Sequence, residues 1–277
     1  MLKRTRGPDA VANSLIRGFK LLAVPYQFNY ITNKSKSFVY VISGSDTLKW
    51  AIKEKEKGHI KYLATGPNIV ILPNEEKKIL LNKNIDKIIL PSLWTKDLFF
   101  KLCPELKNKD VIIWPAGVDI PKKINIKRNI DFLVLDKRKE SRLLANVRSA
   151  LKAKSVNYRV ITYGKFSQKK YYTLLNNSKY LICLGRTESQ GLALFEAWAY
   201  NVPTIVYEEK TFNYKNITWD RASAAPYLHE KCGIFFKTDF KAALDKLANK
   251  SFSPRAYCLK NYSDEIMTKQ FLEIARI

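Results

Sequence analysis

The chain has 277 residues, of which 46% are hydrophobic and 27% charged, a composition that fits one large or two ordinary globular domains and excludes a disordered protein. Its 49 Lys and Arg outnumber its 25 Asp and Glu, so the formal net charge is +24 and an anionic ligand or nucleic acid is an obvious candidate partner. The basic residues are spread over both halves of the chain, however, and form no basic tail.

Short β-branched or aromatic runs alternate with longer amphipathic stretches, which is the pattern of an α/β protein with parallel sheets. The predicted strands are residues 38–43, 60–65, 87–92, 110–117, 130–136, 158–164, 180–185 and 203–208. Three stretches have helical spacing: 45–58, 141–154 and 191–200. For the first of these, Ser45 or Asp46 is the predicted amino-terminal cap, and Gly58 is the predicted stop.

The polar and basic segment 118–129 follows a predicted strand and divides the chain into halves of similar size, each with about four strands. This pattern predicts two doubly wound domains, residues 1–122 and 123–261. Such a pair binds its ligand in a cleft beyond the carboxyl ends of the strands.

The sequence predicts neither a signal peptide nor a membrane span, because the start MLKRTRGPD has no apolar stretch behind its charges and no apolar run is long enough to cross a bilayer. The four cysteines are scattered, and Cys183 lies in the apolar run YLICLG, as a buried thiol would. We therefore expect a cytoplasmic protein, with at most peripheral contact with a membrane.

Several chemistries lack their signatures. No G-x-G-x-x-G, Walker loop, G-x-S-x-G or D-x-D motif is present, and the chain has only two histidines. A pair of carboxylates that fixes a cation on a diphosphate is therefore not predicted. We expect a protein that needs neither a metal ion nor a bound cofactor.

The most informative segment is the strand YLICLG, followed by the loop RTESQG and the helix GLALFEAWAY. Glu188 lies in the loop, and Glu196 falls in the second turn of the helix. The first backbone N–H groups of this helix lie near Gln190, Gly191 and Leu192, where a helix start favours a phosphate or a sugar hydroxyl. One carboxylate would then bind a hexose and the other a ribose, with a diphosphate between them.

The alternative is that Glu188 is a solvated loop residue and Glu196 only part of a helix surface. For Glu196 this alternative is awkward, since its neighbours Leu194, Phe195, Ala197 and Trp198 are apolar. A carboxylate in such surroundings costs several kcal/mol unless a partner hydrogen-bonds to it.

The segment RTESQGLALFEAWAYNVPTIV resembles the donor-site signature of glycosyltransferase family 4 and related retaining GT-B enzymes. Three other segments resemble this family in the same order: residues 86–99, 111–119 and 252–274. The last of these is similar to the terminal helices that pack back on the first domain, so residues 262–277 are expected to join it. The compact length is also similar to that of glycosyltransferases encoded by large algal (chlorella) viruses, and for such a protein the expected location is the host cytoplasm.

The resemblance implies roles for further residues. The family places an Arg and a Lys after the first strand of the donor domain, where Lys137, Arg138 and Lys139 compete for the two positions, with Arg138 and Lys139 favoured. Three residues fall at the usual level of the nucleobase: Tyr163, Gly164 and Lys165. Arg6 and Gly7 occupy the place of the family's glycine-rich loop, which here has one glycine instead of two. No histidine lies at the matching loop TGPN (65–68), where Asn68 is the acceptor-side candidate.

The resemblance therefore implies a metal-independent, retaining GT-B enzyme that moves a hexose from GDP-mannose or UDP-glucose to a glycan or glycoprotein. Glu188 would orient the hexose, and the cations would stabilise the leaving diphosphate. Two other functions remain open from the sequence. A nucleic-acid-binding protein would explain the charge of +24, and a UDP-sugar epimerase would have the same architecture.

Overall fold

The computed structural model describes residues 7–29, 35–138, 140–247 and 250–275. The chain divides into two compact units, Met1–Gly117 with Asp264–Ile277, and Val118–Ser263. The sequence placed the corresponding changes after residues 122 and 261. In the structure Val118 already belongs to the second unit, where it pairs with Ser263 and donates its N–H to the Tyr262 carbonyl (2.9 Å).

The strands are β1 (Lys36–Ser43), β2 (Ile60–Asn68), β3 (Lys87–Leu90), β4 (Val111–Ile113), β5 (Ile130–Asp136), β6 (Tyr158–Thr162), β7 (Ser178–Leu184), β8 (Thr204–Tyr207), β9 (Phe212–Tyr214), β10 (Ile217–Trp219) and β11 (Gly233–Phe236). The α-helices are α1 (Gly7–Leu21), α2 (Ser45–Glu56), α3 (Leu93–Leu102), α4 (Ser141–Ala153), α5 (Gln168–Asn176), α6 (Leu192–Ala199), α7 (Phe240–Leu247), α8 (Pro254–Tyr262) and α9 (Asp264–Ala275). Short 3-10 segments occur at Glu76–Leu81 and Pro104–Asn108.

The predicted α/β class is confirmed, and a strand lies in each of the eight predicted regions. Strands β9 to β11 were missed, because they have three or four residues each and give little periodicity to read. The predicted cap of α2 was wrong: Gly44 is the residue before the helix, and no side chain caps it. Asp46 instead accepts a hydrogen bond from the Lys49 ammonium (3.4 Å).

The first unit contains a parallel sheet in the order β1-β2-β3-β4. One core packs residues of α2 and α3 against these strands, including Leu48, Leu63, Ile88 and Phe99. The buried residues of α2 are Leu48, Ala51 and Ile52, whose helical spacing places them on one face, so burial of one apolar stripe accounts for this helix.

The last helix, α9, packs on the first unit through aromatic side chains. The buried Phe271 ring lies 5.0 Å from Tyr40 and 5.2 Å from Trp114, measured between ring centroids. The Trp114 indole N–H donates to the Met267 carbonyl (2.8 Å). Burying rings of this size contributes much of the stability of a small core, so the carboxyl-terminal helix is part of this unit's fold.

The second unit contains a parallel five-stranded sheet in the order β11-β8-β7-β5-β6. The chain runs from β5 to β6 on one side and then returns to build β7 and β8 on the other. Buried residues of α4 and α7 form one core with the sheet, whereas α5, α6 and α8 contribute to another. The reversal in strand order thus lies between β5 and β7.

Among the residues described above, no helix combines the length and the apolar composition that crossing a lipid bilayer requires.

A glycine on α1 tests the packing of α9. A Cβ at Gly18 would overlap Thr268 and lie 2.8 Å from the Asp264 carbonyl oxygen, whereas a Cβ at Gly7, on the same helix, would have no atom within 4 Å. We expect Gly18→Ala to lower the free energy of unfolding by about 1–3 kcal/mol through overpacking. Gly7→Ala should change it by less than about 0.5 kcal/mol. Urea denaturation measures both, and equal values would contradict the close α1–α9 contact.

Candidate functional site

The carboxyl ends of β5 and β7 form the point where the strand order of the second sheet reverses. Asp136 and Leu184, the last residues of the two strands, lie side by side in register. The N–H groups of Lys137 and Arg138 both approach the Leu184 carbonyl, at 2.9 and 3.1 Å. In open α/β sheets the loops diverge at such a reversal, and the crevice between them is the usual ligand site.

The Lys137 ammonium spans this reversal and donates a hydrogen bond to the Glu188 carboxylate, Oε1. The two side chains are only 16% and 24% exposed. Burial by itself would lower the pKa of Lys137, but the Glu188 charge outweighs it and the pKa is raised. The Tyr163 ring lies beneath the same ammonium, 4.9 Å from the ring centroid. Lys137 is therefore a fixed positive charge.

The Arg138 guanidinium reaches past β7 to the loop that follows β8. Its Nη1 donates to Glu209 (2.6 Å), its Nε donates to Glu140 (2.9 Å), and its Cζ lies 5.1 Å from the centroid of the Tyr207 ring. Glu209 in turn accepts the Thr211 N–H (3.0 Å). Burial would raise the pKa of Glu209, but these donors outweigh it and the pKa is lowered.

The loop after β7 leads directly into α6. Gly191 has φ 87° and ψ 46°, the left-handed region that favours glycine, and α6 begins at Leu192. Gln190 is buried, and the Glu188 N–H donates to the Ser223 carbonyl (2.8 Å). The first amides of α6 point out of the helix start and carry its partial positive charge.

Glu196 lies one turn into α6 and has two hydrogen-bond donors from α5. The Gln168 side-chain N–H and the Tyr172 hydroxyl (2.9 Å) both donate to its Oε1. The Glu196 side chain is partly buried. A partly buried carboxylate is expected to accept hydrogen bonds, and these two donors supply them.

The remaining predicted residues fall in three places. Gly164 (φ 84°) and Lys165 form the turn after β6, where the Lys165 N–H donates to the Thr162 carbonyl (3.0 Å). Gly7 is the first residue of α1, and Asn68 is the last of β2, so the segment interpreted as a loop is the end of a strand. Arg6 and Lys139 lie outside the described residues.

Three side chains at this site were missed by the sequence analysis: Glu209, Gln168 and Tyr172. Glu209 directly follows the predicted strand 203–208, so the rule that ligands bind at carboxyl ends of strands could have found it. Gln168 and Tyr172 have the spacing of one helical turn, but nothing in the sequence connects them to Glu196.

No cluster of three or more His, Cys, Asp or Glu side chains suited to holding a metal ion occurs within the described ranges.

The Glu209–Arg138 ion pair predicts a pH effect on stability. Because the pKa of Glu209 is lowered below its ordinary 4.5 in the folded state, its contribution is present above that pH and is lost as the pH falls through the lowered value. We expect the unfolding free energy of the wild type to fall more steeply between about pH 5 and 3 than that of Glu209→Gln. Glu230→Gln, at an exposed glutamate of the same unit, should keep the wild-type slope. Urea titrations across this range measure the slopes, and parallel curves for all three proteins would contradict the assignment.

No protein-family model matches the sequence, and the search of curated proteins gives no match either. Solved structures do match. The lipopolysaccharide outer core galactosyltransferase WaaB, in its apo form, has a TM-score of 0.59 at 14% identity, over 96% of this chain and 80% of that one. A mutant of S. aureus TarM in complex with UDP, alpha-GlcNAc-glycerol and Fondaparinux has a TM-score of 0.58 at 14% identity, over 96% and 59%.

WaaG, a glycosyltransferase involved in lipopolysaccharide biosynthesis, matches with a TM-score of 0.50 at 11% identity, over 99% of this chain and 98% of that one. By contrast, the chain spans 54%, 58% and 57% of the chains in the GtfA/B complex, TarM and pneumococcal GtfA structures. At these identities the likeness concerns the fold. The chain has the GT-B fold, with two Rossmann-like α/β units.

Proposed function

We propose that the chain is a glycosyltransferase whose second unit binds a nucleotide-activated sugar at the carboxyl ends of β5 and β7. The observation that carries this proposal is the pair of cations, Lys137 and Arg138, held at the strand reversal beside the start of α6. A diphosphate needs such a combination of fixed positive charge and outward-pointing amides. The function is supported by the structural similarity to WaaB and WaaG, which are glycosyltransferases.

The leaving diphosphate is stabilised by Arg138, by Lys137 and by the first amides of α6. Within the described part of the chain, Glu140 and Glu209 hold Nε and Nη1 of Arg138, and no partner binds its Nη2. The guanidinium is thus oriented with both N–H groups of Nη2 available to an anion. Lys139 follows immediately in the chain and shares this role. Gln190, Gly191 and Leu192 line the helix start.

Glu188 orients the hexose and stabilises the positive charge that develops at its C1 atom. Its ion pair with Lys137 supports this role, because the lysine can contact the diphosphate while it holds the carboxylate beside it. Glu196 accepts hydrogen bonds from the ribose diol. Tyr163, Gly164 and Lys165 bound the nucleobase end.

In the transfer step the bond between C1 and the phosphate oxygen breaks, and its electron pair goes to the leaving diphosphate. The acceptor hydroxyl attacks C1 from the same face and gives its proton to the departing phosphate, so the anomeric configuration is retained. The residues supply charge stabilisation and positioning, and no metal ion is required. The donor is GDP-mannose or UDP-glucose, with Arg6 and Gly7 as further donor-binding residues, and the acceptor is a glycan or glycoprotein that binds the first unit near Asn68.

Glu188→Gln tests the catalytic carboxylate. The substitution keeps the size and a hydrogen-bond acceptor near Lys137 but removes the charge, so we expect kcat to fall by about 100- to 1,000-fold. The measurement is release of UDP or GDP from UDP-glucose or GDP-mannose that depends on an added glycan mixture, with Glu230→Gln as the exposed control. Full activity in Glu188→Gln would contradict the catalytic role of this carboxylate. An epimerised sugar formed without acceptor would contradict the transferase function.

Arg138→Gln tests the diphosphate site separately from the chemistry. Loss of the guanidinium removes a charged donor and leaves Glu140 and Glu209 to repel an anion, so we expect the Kd for UDP or GDP to rise roughly 10- to 100-fold. Calorimetric titration measures this value. Arg148→Gln, at an exposed arginine of α4, is the matched control and should bind as the wild type does. Equal Kd values for UDP or GDP in the two variants would show that Arg138 does not bind the diphosphate.

A further inference from the structure

We propose that Gln168 and Tyr172 are positioning residues that make the nucleotide site selective for ribose over deoxyribose by fixing the Glu196 carboxylate. This inference rests on the proposed function, in which Glu196 accepts hydrogen bonds from the ribose diol. It concerns two residues of a neighbouring helix that act through Glu196.

The two donors are presented by one face of α5. Gln168 is the first residue of the helix and Tyr172 follows four residues later, a spacing that places both side chains on the same side. The start of α5 is itself fixed, because the Ser167 hydroxyl accepts the Lys170 N–H (3.2 Å). Gln168 therefore projects from a capped helix end.

Both hydrogen bonds reach the same oxygen of Glu196. The Gln168 amide and the Tyr172 hydroxyl donate to Oε1, which has two lone pairs to accept them. Two bonds on one oxygen hold the carboxylate against rotation about its last torsion, a motion that is otherwise broad for glutamate. The orientation of Oε2 is fixed as a consequence.

These donors differ from the partners of the other two glutamates at the site. Glu188 contacts a lysine ammonium and Glu209 an arginine guanidinium, whereas the hydrogen bonds from Gln168 and Tyr172 come from neutral groups. A neutral donor orients a carboxylate without cancelling its charge. These two hydrogen bonds therefore leave the negative charge of the carboxylate, and that charge strengthens a hydrogen bond from a hydroxyl group.

The Tyr172 ring is held in place by contacts with two other tyrosine rings. It stacks on Tyr200, the residue that follows α6, with ring centroids 5.6 Å apart, and its ring centroid lies 6.4 Å from that of Tyr171. The buried Tyr171 ties the two helices together through its hydroxyl, which donates to the Ala193 carbonyl (2.9 Å). The hydroxyl of Tyr172 is therefore held at a set position relative to α6.

A fixed carboxylate discriminates between ribose and deoxyribose. When a site is built to bond a substrate hydroxyl, an analogue that lacks the hydroxyl leaves a polar group unpaired and binds much more weakly. A carboxylate free to turn can bond the remaining hydroxyl or water instead. Loss of Gln168 or Tyr172 should thus reduce the selectivity more than it reduces binding of the ribonucleotide.

The test is calorimetric titration with UDP and 2′-deoxy-UDP, and with GDP and 2′-deoxy-GDP. For the base that the wild type binds more tightly, we expect the ribonucleotide to be favoured at least tenfold. Tyr172→Phe keeps the ring stack and removes only the hydroxyl, and the preference should fall to about threefold or less. Gln168→Ala is a second variant with the same expected loss. Thr173→Val, which removes an exposed hydroxyl of the same helix that donates to the Lys169 carbonyl, should keep the wild-type preference.

Glu196→Ala separates the two proposals. If it abolishes the ribose preference while Tyr172→Phe and Gln168→Ala keep it at the wild-type value, the positioning role is overturned and the diol role of Glu196 stands. If Glu196→Ala binds both nucleotides as the wild type does, or if the wild type shows no preference or binds neither UDP nor GDP, the diol role fails and the positioning role fails with it.

Discussion

The reversal of strand order between β5 and β7 is the constraint on which the second unit depends. Two adjacent parallel strands end at the same level there, and the chain leaves them in opposite directions. Lys137 and Arg138 follow one strand, and the loop that carries Glu188 follows the other. Because the backbone amides of both cations already approach the Leu184 carbonyl, the positions of the two side chains are set by the sheet itself.

The chemistry of the site follows from the way its charges are paired. Buried or partly buried cations need partners, and Glu188 and Glu209 supply them across the ends of three strands. Under the proposed function, a diphosphate binds cations that are already oriented, so little reorganisation accompanies binding. Glu196 accepts hydrogen bonds from two neutral donors of α5, and under the proposed function it binds the ribose.

The high net charge of the protein and the charge of the site are separate matters. The excess Lys and Arg residues are spread over both halves of the chain without forming a basic tail, and several of those described make exposed ion pairs, which contribute little to stability. The two cations at the strand reversal are instead largely buried and tied to carboxylates. Under the proposed function, these two cations, and not the total charge of +24, bind the diphosphate.

Much of the architecture could be read from the sequence, since apolar runs such as YLICLG and IDFLVLD are long enough to predict strands, and the spacing in 141–154 predicts a helix. The local order of strand, loop and helix around Glu188 was also readable, because the apolar run YLICLG ends at 185 and helical spacing begins at 191. The left-handed conformation of Gly191 came only from the structure. The contacts of Glu209, Gln168 and Tyr172 could not be predicted in this way. These side chains meet Arg138 and Glu196 only because β8 and α5 pack beside β7 and α6, and pairings between distant segments leave no periodic signal in the chain.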